Sequence, residues 1–178
     1  MSDIQLVPAT IDDAGAVAAV HVASWQAAYA GIIPADYLAG LSVQNREMVW
    51  RAIIAKKETE TVLAKDHGDI IGWINFGACR DKDLSENIEI TAGEILALYV
   101  LASHWSQGVG RQLWLHACER LYAHGFTQVS LWVLTENVRA IRFYKAVGFR
   151  PDSTSQRHIE RGGRPLHEQR YVFVPSST

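Results

Sequence analysis

Two closely spaced glycines, Gly108 and Gly110 in Trp105-Ser106-Gln107-Gly108-Val109-Gly110-Arg111, are the first residues in this chain whose type and spacing suggest chemistry on a ligand. Glycine lets a backbone turn sharply and come close to a bound group. The stretch before them, Glu94 to Val100, reads as a buried strand, and the stretch after them, Gln112 to Ala123, reads as an amphipathic helix. The first turn of such a helix has N–H groups without intrahelical partners and the positive end of the helix dipole. Strand, turn and helix together make an anion site, usually for phosphate. A turn that merely needs small residues is the plainer reading of a lone Gly-x-Gly, and spacing alone leaves both open. Two well-known phosphate motifs do not fit. A P-loop needs Lys-Ser or Lys-Thr after its last glycine, where this chain has Arg111-Gln112, and a dinucleotide fingerprint needs a third glycine where position 113 is Leu.

Other side chains have two readings each. Strand alternation puts Glu94, Leu96, Leu98 and Val100 on one face. A carboxylate at the edge of that apolar face is partly desolvated, which raises its pKa toward the range of a general base; a solvated residue at a strand end is the alternative. Tyr144, taken alone, is a core aromatic at helical spacing. Trp25 and Tyr29 either pack the first helix on the sheet or wall a pocket for an amine, whose cation aromatic faces attract. His21 on the same face reads as a core histidine.

The elements that must position these residues follow from periodicity and punctuation. Ile4 to Val7 reads as an edge strand ending at Pro8. Thr10 and Asp13 form a capping box before a helix with Ala14, Val17, Ala18, His21, Trp25 and Tyr29 along one side, stopped by Gly31 and Pro34. A short helical turn over Asp36 to Leu41 and a helix over Val43 to Lys57, capped by Ser42, come next. Thr61 to Lys65 and Ile70 to Cys79 form a hairpin around His67-Gly68-Asp69, with Gly72 and Gly77 as bulge sites, and Arg80 to Asn87 is a solvated loop. Strand 128–134, a helix capped by Asn137 and closed by Gly148, and two strands around the Arg161–Pro165 turn complete the order. The fold class is α/β, a mixed central sheet flanked by helices.

The glycine loop resembles the acetyl-CoA loop of the Gcn5-related N-acetyltransferases, the GNAT superfamily. Their pattern is Gln or Arg, two residues, Gly, any residue, then Gly or Ala; Gly108 and Gly110 match, and Trp105 departs from it. The run Leu131-Trp132-Val133-Leu134, Asn137, Ala140, Phe143-Tyr144-Lys145 and Gly148-Phe149 is similar to the second signature of that family. Ser24-Trp25-Gln26-Ala27-Ala28-Tyr29-Ala30-Gly31-Ile32-Ile33-Pro34 is similar to a bacterial subgroup of it, whose acceptors are mostly unassigned. The resemblance covers Ile4 to Val174. It implies one GNAT-like acyl-CoA N-acyltransferase domain over residues 4–174, with 175–178 a loose tail. It also implies acetyl-CoA as cosubstrate, its pyrophosphate on the backbone of Ser106, Gln107, Gly108, Val109, Gly110 and Arg111. The pantetheine arm would add to the strand edge at Leu98, Tyr99 and Val100, and Asn137 would touch pantetheine or the oxyanion region. Tyr144 matches the general-acid tyrosine that protonates the departing sulfur. Glu94 stands before Gly108 at the offset where histone-acetylating members place a catalytic Glu. Trp25 and Tyr29, with Tyr37 nearby, fall near the loop that covers the acceptor cleft.

Acetyl transfer needs an amine that loses a proton, a stabilised oxyanion, a sulfur that leaves and reactants held together. The expected activity is therefore N-acetylation of a primary amine on a small molecule or peptide, by direct attack in a ternary complex. A non-catalytic acyl-CoA-binding or regulatory module is the rival. Bulk composition narrows the rest. Net charge is −2 with no Lys/Arg stripe, which gives nucleic acid no footprint. No apolar run approaches the ~20 residues of a membrane span, and the N-terminus lacks the pattern of a secretory signal. Cys79 and Cys118 suit neither metal nor disulfide, Cys118 reading as a core residue, so a cytoplasmic enzyme without metal is expected. A homodimer is compatible with all of this.

Overall fold

The computed structural model describes residues 4–85 and 91–175. Residues 86 and 87 of the expected polar loop, and 176–178 of the expected tail, lie outside them. The strands are β1 (Gln5–Pro8), β2 (Glu60–Asp66), β3 (Asp69–Ala78), β4 (Ala92–Val100), β5 (Gln128–Leu134), β6 (Arg150–Arg161) and β7 (Arg164–Phe173). The helices are α1 (Ala14–Ala28), α2 (Ala35–Ala39), α3 (Val43–Lys56), α4 (Lys82–Ser85), α5 (Val109–Ala123) and α6 (Val138–Ala146). The strands form one mixed sheet in the order β1-β2-β3-β4-β5-β7-β6, in which β4 and β5 run parallel and the other neighbours antiparallel.

Local signals set most element ends. The Thr10 N–H donates to Asp13 Oδ2 at 2.8 Å, closing the entry to α1 through a short 3-10 turn. Ser42 Oγ accepts from the Asn45 N–H and Asn137 Oδ1 from the Ala140 N–H, capping α3 and α6. His67 and Gly68 both take positive φ, as do Gly162 and Gly163, so two-residue turns that follow the strand twist close the β2–β3 and β6–β7 hairpins. Arg161 and Arg164 therefore belong to paired strands.

Each face of the sheet carries its own core. On one side α5 and α6 cover Val62, Ile74, Phe76, Ile95, Val129 and Leu131 with Leu113, Ala117 and Leu121. On the other, α1 and α3 pack Val17, Val20 and Trp50 on Leu63 and Trp73. Trp73 is fully buried and its Nε1–H donates to the Val17 carbonyl at 3.1 Å, so its one polar group is satisfied.

β4 carries two irregularities, a bulge and a fork. Asn75 faces Ala97 across the β3–β4 ladder, but Phe76 faces Ile95, which leaves Leu96 as an extra residue, a β-bulge. Ile95, Leu98 and Val100 pack on the α5 side, whereas Ala97 and Tyr99 pack on the α1 side. Glu94 thus shares the side of Ala97 and Tyr99. This corrects the expectation of one face for Glu94, Leu96, Leu98 and Val100: the bulge inverts the alternation between Ile95 and Ala97. Of the expected bulge sites, Gly72 adjoins a register shift in the β2–β3 ladder, while Gly77 pairs regularly with Glu94. The fork arises because β4 pairs with β5 only where Ala92–Glu94 meet Gln128–Ser130. Beyond it, the edge of β4 from Ile95 to Val100 has no β5 partner, and β5 is held from its other side by β7.

Candidate active site

The fork opens into two adjoining cavities. One lies between the splayed strands and is lined by Ser24, Trp25, Tyr29, Arg80, Glu94 to Val100, Trp132, Asn137, Tyr144, Arg157, Arg161 and Glu168 among others. The other runs along the start of α5 and the side of α6, past Ser106, Gly108 to Arg111, Phe143 and Val147. Their common wall consists of Leu98, Val100, Trp105, Arg139, Ala140 and Tyr144. A two-substrate site needs this arrangement: two spaces, one for each reactant, meeting at a few residues.

The groove at α5 begins with backbone geometry. Gly108 takes φ 83°, ψ −4°, a left-handed conformation costly for other residues, and serves as the N-cap. With Gly108 as cap, α5 starts at Val109, earlier than the expected Gln112, so Gly110 lies in its first turn. The residues of that turn, whose first N–H groups have no intrahelical partner, line the groove. Gly110 there needs no unusual conformation; a Cβ on it would lie 3.5 Å from the Phe143 ring, an ordinary contact. Ser106, Gly108, Val109, Gly110 and Arg111 line the groove together, as expected for an anion site. Gln107 folds back instead, its Nε2–H donating to the Ser103 carbonyl at 2.9 Å. Lys145, a neighbour of Tyr144 in sequence, is not among the groove residues.

Trp105, where the sequence departs from the family pattern, has a structural task. Its Nε1–H donates to the Val100 carbonyl at 2.8 Å, fixing the loop to the end of β4, and the Arg139 guanidinium stacks 3.2 Å from its ring centroid. Arg139 thereby reaches the common wall. Tyr144, on α6, stands in the same wall, and burial, with a smaller contribution from Tyr99, pushes its hydroxyl well above the ordinary tyrosine range. The group keeps its proton. Asn137, also in the cleft, spends Oδ1 on the α6 cap, which leaves its amide N–H groups for a ligand.

Glu94 faces the cleft at 2% exposure, and its carboxylate is already engaged. Arg80 donates through its backbone N–H and Nε–H to Oε2, at 3.1 and 3.0 Å, and through Nη2–H to Oε1 at 2.7 Å. In return the Glu94 hydrogen bonds raise the Arg80 pKa. Arg80 had no local signal in the sequence, since it opens a run that reads as solvated loop. Nearby, Arg157 donates to Glu168 at 2.6 Å and lies 4.4 Å from the Trp132 ring centroid. Trp25 and Tyr29 do line the cleft, and the Tyr29 and Tyr99 hydroxyls are 3.0 Å apart. Tyr37 packs on Gly162, in the β6–β7 turn. His21 is a core residue, as expected: its Nδ1 accepts from Trp50 Nε1–H at 3.1 Å, and burial, with a smaller contribution from Arg46, lowers its pKa to about 3. Ser24 Oγ is buried with no hydrogen-bond partner among the described residues, whereas the Trp25 indole N–H bears on the Tyr99 hydroxyl. Sequence reasoning had missed Ser24, Arg139 and Arg161. Only Ser24, beside Trp25 on the same helix turn, carried a usable hint. Among the described residues no group of three or more His, Cys, Asp or Glu could hold a metal ion, and no helix is long and apolar enough to cross a membrane.

Comparison with known proteins agrees with this geometry. Residues 25–149 match the model of the acetyltransferase (GNAT) family. The chain is 34% identical over 161 residues to the uncharacterized N-acetyltransferase YuaI of Bacillus subtilis, covering 90% of this chain and 87% of that one. Among solved structures, the PaiA N-acetyltransferase of Thermoplasma acidophilum in complex with coenzyme A superposes with a TM-score of 0.76 at 20% identity, covering 97% and 99% of the two chains. YncA of Salmonella typhimurium, solved with its cofactor acetyl-CoA, superposes with a TM-score of 0.72 at 18% identity, covering 99% and 96%.

Proposed function

The chain belongs to the acetyltransferase (GNAT) family and is an N-acetyltransferase, and from that premise we propose that it moves an acetyl group from acetyl-CoA to a primary amine of a small molecule or peptide. The observation that carries this reading is the meeting of the two cavities at Tyr144. The α5 groove takes the pyrophosphate of acetyl-CoA on the backbone of residues 106–111. The pantetheine arm runs along the unpaired edge of Leu98, Tyr99 and Val100, hydrogen-bonded as an added strand. The acceptor enters the cleft from the side of Trp25 and Tyr29. Its nitrogen attacks the thioester carbon directly, a C–N bond forms, the C–S bond breaks, and no acyl-enzyme intervenes. Glu94 takes the ammonium proton, directly or through one water, while Arg80 holds its carboxylate in place. The Tyr144 hydroxyl gives its proton to the sulfur and is restored by the proton that the new amide nitrogen sheds, and the Asn137 amide N–H groups face the pantetheine or the carbonyl oxygen. We read residues 4–174 as one transferase domain. The free thiols of Cys79 and Cys118 fit a reducing cytoplasm.

The test is release of free thiol from acetyl-CoA in the presence of an amine panel, repeated with Tyr144→Phe. The variant keeps the ring and loses one oxygen. The expected result is a kcat lower by ~10²–10⁴-fold, the usual range for general acid–base assistance, with the KM for acetyl-CoA nearly unchanged. Wild-type kcat in the variant removes the role given to Tyr144. Tight acetyl-CoA binding with no thiol released from any amine favours a binding module instead.

A further inference from the structure

We infer that the acceptor is a small primary amine that also carries a carboxylate, held by Arg161 and Ser24 in the cleft. This rests on the transfer reading above and narrows its substrate class.

The first observation is the charge balance of the cleft. Its walls hold four guanidinium groups, those of Arg80, Arg139, Arg157 and Arg161, and two carboxylates, those of Glu94 and Glu168. Arg80 is paired with Glu94 and Arg157 with Glu168. Arg139, also without a carboxylate partner among the described residues, stacks on Trp105 in the wall that both cavities share. Arg161 is the one unpaired guanidinium that lines the acceptor cleft alone. It is half-buried at the end of β6, lines the acceptor cleft but not the α5 groove, and has no carboxylate partner among the described residues. Its side chain donates a hydrogen bond to the neighbouring Glu160 carbonyl, which leaves most of its donors for a ligand. A half-buried guanidinium facing a cleft favours a planar anion, which it can grip with two parallel N–H groups.

The second observation is independent of charge. Ser24 is 1% exposed, lines the same cleft, and its hydroxyl has no partner among the described residues. Buried polar groups are normally satisfied, so an unsatisfied one in a cavity wall marks where a ligand atom belongs. The Ser24 hydroxyl can donate to a carboxylate oxygen held beside Arg161.

The same features disfavour polyamines and other polycations. A second ammonium in the cleft would meet the unpaired Arg161 charge. An amine with a carboxylate avoids this: its nitrogen points to the common wall at Tyr144, and its anion to Arg161.

The test compares free amino acids, their carboxamides and polyamines as acceptors in the thiol-release assay, with wild type and Arg161→Gln. The expected wild-type kcat/KM is at least tenfold higher for an acid than for its carboxamide, the gap falling toward unity in Arg161→Gln and partly restored in Arg161→Lys. A carboxamide or polyamine preferred by the wild type overturns the inference. An acid-to-amide ratio unchanged by Arg161→Gln overturns it too. If no acid is acetylated and none binds the CoA-loaded protein in a calorimeter, the inference also falls. Acetyl-CoA binding and thiol release with any other amine then report separately on the transfer reading.

Discussion

Glu94 and Arg80 show why a residue's role depends on its partners. A carboxylate at 2% exposure would be costly unpaired, and the three donors from Arg80 supply the pairing. If Glu94 draws the proton from the attacking ammonium, Glu94→Gln lowers kcat/KM most near neutral pH, by ~10²-fold or more. The loss shrinks as pH rises, because free amine then needs no base. A pH–rate profile of both proteins checks this, and a pH-independent loss assigns Glu94 to positioning of the Arg80 segment instead. That Glu94 lies on the strand leading to the glycine loop was legible in the sequence, and that strand lines the cleft. The partner and the face of Glu94 were not legible, because both depend on pairing with a distant strand: the bulge at Leu96 exists only against Asn75 and Phe76.

At the scale of single elements, α5 was the most legible part of the chain. Gly108, the apolar spacing of Leu113, Ala117 and Leu121, and Gly125 after its end all act within a few residues of themselves. Long-range order was less legible. Nothing local in residues 150–173 says that β7 inserts between β5 and β6, since a hairpin can dock by either strand. The start of α5 supports a prediction in which stability and binding move in opposite directions. Gly110 is helical with space for a Cβ, so Gly110→Ala should raise stability by up to about 1 kcal/mol from helix propensity. Gly110→Asp gains from the dipole at a helix N-terminus while setting a carboxylate where pyrophosphate belongs. Thermal melts of both variants should match or exceed wild type, and calorimetry with acetyl-CoA should show affinity lost in Gly110→Asp by about tenfold or more. Wild-type affinity in Gly110→Asp, with folded protein, removes the loop from the cosubstrate site.

At the scale of the molecule, Arg170 ties separate regions together. It is 3% exposed, on β7, and its guanidinium reaches Asp152 on β6 at 2.7 Å and Asp83 on α4 at 2.6 Å, with Asp81 at 3.4 Å. Burial pushes the Asp152 carboxyl up, but hydrogen bonds from Arg170 and Thr154 and the charge of Arg170 outweigh it and hold the pKa at about 2. Asp83 is lowered as well, chiefly by its hydrogen bond from Arg170. A carboxyl depressed in the folded state stabilises it fully above the ordinary value of 3.8, and that contribution is lost as pH falls through the folded value. Stability should therefore drop between about pH 4 and pH 2, and Asp152→Asn should flatten that limb of a melting-temperature profile. An identical acid limb in the variant would place the sensitivity elsewhere. The hydrophobic pattern revealed both faces of the sheet but not this network, since Arg170 sits in a strand whose sequence, Arg164–Phe173, alternates too weakly to mark one polar side chain as buried.

The fork between β4 and β5 leaves two raw edges in the middle of a sheet. On a protein's rim such edges recruit strands from other chains, the first step of aggregation, and are usually guarded by charge or proline. Here the guard is depth. The edge of Ile95–Val100 is recessed between Trp25 and Tyr29 on one side and Asn137, Ala140 and Tyr144 on the other. An invading polypeptide strand would have to thread side chains above and below its own plane into that slot. A slender, unbranched chain carrying amide groups at intervals has no such girth. On the proposed reading the opening works as a gauge of thickness, keeping a hungry edge available to one shape of guest while withholding it from the protein's own kind.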